Sequence, residues 1–322
     1  MDWLWPGLIA FVACAVLGVV LAAALAKGRG KGKGRPPPLP SPPGGQGSGS
    51  TYTNPVMTDI ADPGCIRVGS TYYVCGTQKG GFAIFASTNL RDWKQVADTG
   101  QGGCAQCWAP NFLQHNGRFY LVYTDGSNFT GSIAVAEKVT GPYRVICSHG
   151  IPGIDGYLFA FESSVYVFYN SIKKGAIMSC GRLSKDMTRV EETRDLFSGP
   201  VPELGGQHVE VPVEGPCCTR VGGLLYLSYS FNQVIRYNLS YATATHPFGP
   251  WKQSGKALFP ADNSGHGHHD IVQTPGGTWV CIYHGALQVN PARNLCVDRM
   301  TIGGGKMAID YHAPGKQAPL IT

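Results

Sequence analysis

The chain has 322 residues, of which 14% are charged, and a formal net charge of +6. Residues 27–35 carry five cations and Asp2 is the only charged residue before them, so the rest of the chain has a net charge of +2. This nearly neutral body argues against a basic nucleic-acid-binding domain, and its length fits one β-rich domain of about 270 residues with one large core.

An uncharged, mostly apolar segment occupies residues 3–26 and is long enough to cross a bilayer. A signal peptide cleaved after Ala24-Leu25-Ala26 is the alternative, but no Lys or Arg precedes the segment, and it is longer than a usual signal core. We therefore expect residues 1–26 to form an uncleaved, single-pass transmembrane anchor. Residues 27–50 are basic, then rich in Pro, Gly and Ser, which predicts a linker that is stiff first and flexible later.

Residues 51–322 contain a motif that occurs five times. Each copy is a short aromatic and β-branched run, and four of the five follow a Gly-containing turn, as expected of a strand entered from a hairpin. The runs centre on Tyr72, Phe119, Tyr166, Tyr226 and Trp279, at spacings of 47, 47, 60 and 53 residues. A period near 50 built from such strands predicts an all-β, five-bladed β-propeller with one four-stranded sheet per repeat.

Acidic residues recur at one phase of this repeat. Ten to twelve residues before the anchors lie Asp62, Asp155, Glu214 and His269 in blades one, three, four and five, and Trp108-Ala109-Pro110 in blade two. Because equivalent positions of a propeller converge on its axis, we expect these side chains to meet. Asp62 before Pro63 and Asp155 before Gly156 each fit a plain turn as well, whereas Glu214 stands in an apolar stretch where an unpaired carboxylate is costly.

The signals for cellular location disagree. Sequons at Asn128 and Asn238 suit a lumenal or extracellular domain, whereas the cations after residue 26 place the domain in the cytosol by the positive-inside rule. We favour the outside orientation of a membrane-anchored domain. The 11 cysteines match no small disulfide framework, and Cys104-Ala105-Gln106-Cys107 stands without a second pair that would complete a zinc site. We expect most of them to be buried apolar residues.

Each of the five blades contains a distinctive motif. Blade one has NPVMTDIADPGCIRVGSTYYV, and the later blades have CWAPN, GIDGYLF, VEGPCC and GHHDIVQTPGGTW followed by RNLCVDRM. In this order and at this spacing, the motifs resemble glycoside hydrolase family 43 over about residues 54–302, and blade one is similar to the family's Asn-Pro and Ala-Asp-Pro segment. The altered hairpin AFESS in blade three and TIGGGKMAID in the closing blade depart from the family pattern.

The resemblance implies an inverting glycosidase. By motif position Asp62 would be the general base, Glu214 the general acid, and Asp155 the residue that holds Glu214 and raises its pKa. Inversion needs room for water between base and acid, typically about 6.5–9.5 Å between the carboxyl groups. Arg293 would contact the substrate, and Trp108 and Phe159 are candidate sugar platforms that fit core positions nearly as well. The implied substrates are oligo- or polysaccharides with α-L-arabinofuranosidic or β-D-xylosidic bonds.

His268 would help to hold one structural calcium or sodium ion on the propeller axis, and no organic cofactor is implied. A transition-metal site in GHGHH is a weaker alternative, and the family usually has a small residue where Asp270 stands. We expect a monomeric catalytic domain that binds a polysaccharide, contacts a membrane only through its N-terminal helix, and does not bind nucleic acid. The alternative function is a non-catalytic carbohydrate-binding or adhesion propeller on a membrane or virion surface.

Overall fold

A computed structural model describes residues 51–77, 81–99, 106–198, 212–233, 236–260, 265–287 and 290–321. The predicted anchor (1–26) and linker (27–50) lie outside these residues. Within the described ranges no helix is long and apolar enough to cross a membrane.

Five four-stranded antiparallel sheets make up the fold, so the predicted all-β, five-bladed propeller is confirmed. In each blade the strands follow one another in sequence order. Blade one contains β2 (Ala61–Val68), β3 (Thr71–Thr77), β4 (Ala83–Ser87) and β5 (Lys94–Asp98). Blade two contains β6 (Cys107–His115), β7 (Arg118–Asp125), β8 (Thr130–Ala136) and β9 (Arg144–Ile151). Blade three contains β10 (Ile154–Phe161), β11 (Ser164–Ser171), β12 (Ile177–Leu183) and β13 (Val190–Phe197), with a short 3₁₀ turn at Ile172–Lys174.

The last two blades follow the same order. Blade four contains β14 (Val213–Val221), β15 (Leu224–Gln233), β16 (Arg236–Ala244) and β17 (Lys252–Gln253). Blade five contains β18 (Gly267–Gln273), β19 (Trp279–Leu287), β20 (Asn290–Gly303) and β21 (Lys306–Asp310). Two further short strands, β1 (Thr51–Thr53) and β22 (Gln317–Pro319), pair antiparallel and join the two ends of the domain.

The apolar side chains form five layers between neighbouring blades, not the one large core that length and charge suggested. Alternation along the second strands explains the layers: Leu121 and Tyr123 of β7 face blade one, whereas Tyr120 and Val122 face blade three. Burying each such side chain contributes about 1.5–3 kcal/mol. Because both faces of the second strands are covered, these strands are richly apolar, as the five aromatic runs indicated, whereas the outermost strands β5 and β13 are largely exposed.

The structure shows how far the cysteines and the two sequon asparagines are buried. The eight described free cysteines are all buried, as expected, and Cys107 is disulfide-bonded. Asn128 is exposed in the hairpin between β7 and β8, whereas Asn238 is buried and its Nδ2 donates to the carbonyl of Phe259 at 3.1 Å. Of the two sequons, only that of Asn128 presents its asparagine to solvent in the folded domain.

Candidate active site

The three predicted carboxyl groups lie at the start of innermost strands and are brought together. Imidazole Nδ1 of His268 lies 3.5 Å from Oδ1 of Asp62 and 3.7 Å from Oδ2 of Asp155. The same Oδ2 of Asp155 accepts the backbone N–H of Gly215 at 3.1 Å, directly after Glu214. The propeller therefore joins residues that are more than 150 positions apart in sequence at one end of its axis.

Asp62 is held as a carboxylate by its neighbours. Its Oδ1 accepts a hydrogen bond from Nη1 of Arg293 at 2.7 Å, and its Oδ2 accepts one from the hydroxyl of Thr77 at 2.5 Å. Burial alone would raise the pKa of Asp62, but the charge of Arg293 holds that pKa well below its usual value. Asp62 is thus ionised across the range in which most enzymes work, as a general base must be.

Asp155 and Glu214 have the opposite character. Burial, followed by the charges of Glu214 and Asp62, raises the pKa of Asp155 well above its usual value. Burial also raises the pKa of Glu214, although a hydrogen bond from the hydroxyl of Tyr237 opposes the rise. Because these two carboxyl groups titrate together, the proton that they retain belongs to the pair. The site therefore combines one ionised carboxylate with an acidic pair that keeps a proton.

Both histidines beside Asp62 are neutral. Burial lowers the pKa of His268 to about 4 and also lowers the pKa of His284. Nδ1 of His284 accepts the backbone N–H of Asp62 at 3.1 Å, which requires that this nitrogen carry no proton. Arg293, still 42% exposed, is therefore the positive charge of the site.

The two predicted sugar platforms occupy different environments. Trp108 is half-buried: its ring packs on Gly126 and meets Phe129 edge to face at 5.8 Å, and the next residue, Ala109, bonds Thr77. Phe159 lies four residues beyond Asp155 on β10 and packs on Phe168 in the layer between blades three and four. No described contact joins Phe159 to the carboxyl groups, and the structure favours its core interpretation.

Counting along the repeat misplaced one residue and missed others. His269, which the count selected in blade five, bonds the hydroxyl of Ser228 at 2.6 Å inside the propeller, whereas His268 faces the carboxyl groups. Tyr237, whose ring stacks parallel to His284 at 5.5 Å, and Thr77 were not predicted. Thr77 and His284 occupy the same place in their blades, so continuing the repeat onto the second strand would have found both.

A fourth carboxyl group, that of Asp270, lies deeper on the axis and is hydrogen-bonded to every blade. Its oxygens accept hydrogen bonds from five donors, one on each innermost strand. These donors are Cys65 N at 2.8 Å, Asn111 Nδ2 at 2.9 Å, Ile271 N at 2.7 Å, the Cys217 thiol at 3.6 Å and the Tyr157 hydroxyl. Burial raises the pKa of Asp270 to about 7. We call Asp270 and these five donors the axial cluster.

The axial cluster does not fit a calcium or sodium ion. Such cations need several oxygen acceptors, and here donors already occupy the oxygens of Asp270. In the part of the chain that the structure describes, no three His, Cys, Asp or Glu side chains are grouped to hold a metal ion. An ion beside His268 stays a prediction, and no step below depends on it.

Removing the Asp270 carboxyl is expected to destabilise the propeller. Asp270→Ala leaves buried donors of all five blades without their acceptor, and each such donor costs about 1–3 kcal/mol. We expect a loss of about 3 kcal/mol or more in the free energy of unfolding, measured by urea denaturation, against less than about 0.5 kcal/mol for the exposed control Asp310→Asn. Equal stability of the two variants, or a calcium-dependent midpoint in the wild type that Asp270→Ala abolishes, would contradict the assignment.

Asp270 should also make the stability of the folded domain depend on pH. The pKa of Asp270 is about 7 in the folded state and 3.8 in a model peptide, so the folded state binds the proton more tightly. The contribution of Asp270 to stability is full below about pH 4 and falls as pH rises towards 7, by up to about 1.4 kcal/mol per pH unit. The stability gap between wild type and Asp270→Asn should therefore narrow from pH 4 to pH 7, and a gap that widens would refute this.

Comparison with known proteins agrees with the geometry. The sequence model of glycosyl hydrolases family 43 matches residues 52–307. The chain is 26% identical over 292 residues to a xylosidase/arabinosidase 43B of Humicola insolens, covering 77% of this chain and 52% of the relative. It is 25% identical over 275 residues to a non-reducing-end α-L-arabinofuranosidase of Bacteroides ovatus, covering 74% and 49%. The chain thus spans about half the length of these two curated relatives.

Solved structures show the same fold. The crystal structure of a thermostable family-43 glycoside hydrolase superposes with a TM-score of 0.73 at 24% identity, covering 84% of this chain and all of that one. An endo-1,4-β-xylanase from Bacteroides thetaiotaomicron gives a TM-score of 0.68 at 24% identity, covering 83% of this chain and 99% of that one.

Proposed function

The chain belongs to glycosyl hydrolases family 43, and we propose that it is an inverting O-glycosyl hydrolase of arabinan- or xylan-type polysaccharides. In this proposal Asp62 is the general base, Glu214 is the general acid, and Asp155 positions Glu214. The observation that carries it is the opposite shift of the pKa values: that of Asp62 is lowered, whereas those of Asp155 and Glu214 are raised.

The reaction follows from these protonation states. Asp62 accepts a proton from a water molecule, whose oxygen attacks the anomeric carbon. The bond between that carbon and the leaving oxygen breaks, and Glu214 supplies the proton that the leaving oxygen needs. Asp155 accepts the N–H of Gly215 and so fixes the backbone next to Glu214, and burial disfavours the early loss of the proton on Glu214.

The substrate part of the proposal rests on the relatives and on two side chains. Relatives of this chain act as xylosidase/arabinosidase and α-L-arabinofuranosidase, which favours α-L-arabinofuranosidic or β-D-xylosidic bonds here. The half-buried ring of Trp108 would stack on a sugar, and the exposed part of Arg293 would donate to sugar hydroxyl groups. The proposal includes a monomeric domain, anchored by residues 1–26 and facing outwards.

The test is a substrate screen with the full chain and with residues 51–322, which contain β1 to β22. The substrates are aryl α-L-arabinofuranosides, aryl β-D-xylosides, arabinan and xylan. We expect turnover on at least one of them. Sugar binding without turnover on any substrate would favour the alternative, a non-catalytic carbohydrate-binding propeller.

A further inference from the structure

The innermost strand of every blade has a β-bulge at the same place, and the bulge residue has left-handed backbone. The five residues are Asp62 (φ 49°), Ala109 (46°), Asp155 (58°), Gly215 (54°) and His268 (37°). Only one of them is glycine, although this conformation is strained for most other residues, less so for Asp. Contacts with the surrounding structure must therefore stabilise the left-handed backbone of the other four residues.

The second strand of the preceding blade provides a stabilising hydrogen bond at four of the five bulges. Four polar side chains accept the backbone N–H of the bulge residue in the next blade. These contacts are Thr77 Oγ1 to Ala109 N at 3.0 Å, Thr124 Oγ1 to Asp155 N at 2.8 Å, Ser230 Oγ to His268 N at 2.8 Å, and His284 Nδ1 to Asp62 N at 3.1 Å. All four acceptors occupy one register position, opposite the residue before the bulge of their own blade.

The contact from blade three to blade four differs from the other four. In blade three the equivalent residue, Asn170, donates its Nδ2 to the carbonyl of Val213 instead of accepting an N–H. The N–H of the blade-four bulge residue, Gly215, goes to the carboxyl group of Asp155. A site carboxyl thus replaces the second-strand acceptor at the link beside Glu214.

We propose that Thr77, Thr124, Ser230 and His284 form a positioning ring in which four of the five blades each fix the backbone of the next blade's bulge residue. The roles of Asp62, Asp155 and Glu214 in this inference rest on the proposed function, whereas the ring itself does not. Each acceptor stabilises a left-handed residue whose side chain, or whose neighbour's side chain, faces the site. The ring thereby sets the relative positions of groups that come from five separate sheets.

Thr124 gives the cleanest test because its hydroxyl contacts the backbone of Asp155 and not its carboxyl group. Thr124 is fully buried, so Thr124→Val keeps its shape and removes the acceptor. Thr124→Ser keeps the hydroxyl. A matched control is Thr219→Val, since Thr219 is also buried and lies on β14 outside the ring.

In the full chain, Thr124→Val is expected to lower kcat about 10- to 100-fold with little change in KM, because small displacements of reacting groups are costly. Thr124→Ser should restore kcat to within about threefold, and Thr219→Val should match the wild type. Hydrogen–deuterium exchange gives a readout that needs no substrate. The Asp155 amide should exchange at least about tenfold faster in Thr124→Val, and as slowly as wild type in Thr124→Ser.

Each outcome decides the inference. Unchanged kcat with unchanged Asp155 exchange in folded Thr124→Val overturns it. If the wild type hydrolyses no substrate, the proposed function fails and the positioning ring is tested by hydrogen exchange alone. Faster exchange of the Asp155 amide in Thr124→Val then supports the ring, and equal exchange overturns it. If Thr124→Val does not fold, Ser230→Ala replaces it, with the His268 amide expected to lose protection and retained protection overturning the ring.

Discussion

Asp62→Asn is expected to lower kcat/KM by about 10³- to 10⁴-fold on every substrate that the wild type hydrolyses. The carboxylate is ionised because Arg293 lies 2.7 Å from its Oδ1, and an amide cannot accept the proton of the attacking water. Asparagine tolerates left-handed backbone better than most residues, so the substitution keeps the bulge at φ 49°. The loss should therefore appear in catalysis without a loss of folding.

The matched control for this variant is Asp59→Asn. Asp59 is an exposed carboxylate three residues earlier, also with left-handed backbone, and its backbone N–H bonds Asn294. We expect its activity to stay within about twofold of wild type, as measured by steady-state kinetics. Hydrolysis by Asp62→Asn at more than a tenth of the wild-type rate would contradict the role of Asp62 as base.

Glu214→Gln is expected to show a loss that depends on the leaving group. For polysaccharides and alkyl glycosides, whose leaving oxygen needs a proton, kcat/KM should fall about 10²- to 10⁴-fold. For a dinitrophenyl glycoside, whose leaving group departs without protonation, the loss should be less than about tenfold. Comparing kcat/KM over a series of aryl leaving groups measures this difference, with the exposed Glu137→Gln as the control. An equal loss on all leaving groups would contradict the acid role.

The pH profile provides a further readout of the same variant. In the wild type, activity should rise as Asp62 ionises, well below pH 4, because its pKa is lowered. Activity should fall at higher pH as the pair of Asp155 and Glu214 loses the proton that burial and mutual repulsion retain. On the dinitrophenyl substrate the falling limb should be absent in Glu214→Gln, since no proton is then needed, and its persistence would assign that limb to another group.

The repeat in the sequence was sufficient to predict the blades because a propeller repeats one strand pattern in space. All five aromatic anchors lie on second strands, β3, β7, β11, β15 and β19. Asp62 and Asp155 were found as turn-forming residues at one phase of the repeat. Glu214, by contrast, stands one residue before the equivalent bulge residue, Gly215. Its position in the repeat alone therefore did not predict the direction of its side chain.

Other site features could not be predicted from residue types. Thr77, Thr124 and Ser230 are ordinary strand residues, and their importance depends on which backbone N–H of the next blade they reach. As an aromatic residue Phe159 was a candidate sugar platform, but the alternation of β10 directs its side chain into the layer between blades three and four. The five donors around Asp270 come from five strands, and only the closed fold shows that they meet.

The stereochemistry of hydrolysis tests the central claim most directly. Proton NMR of an aryl glycoside during the first minutes of reaction shows which anomer of the free sugar forms before mutarotation. A single displacement, with Asp62 activating water and Glu214 protonating the leaving oxygen, predicts a first product of inverted anomeric configuration. A first product with retained configuration would require a covalent glycosyl-enzyme intermediate and would contradict the assignment of Asp62 as a general base.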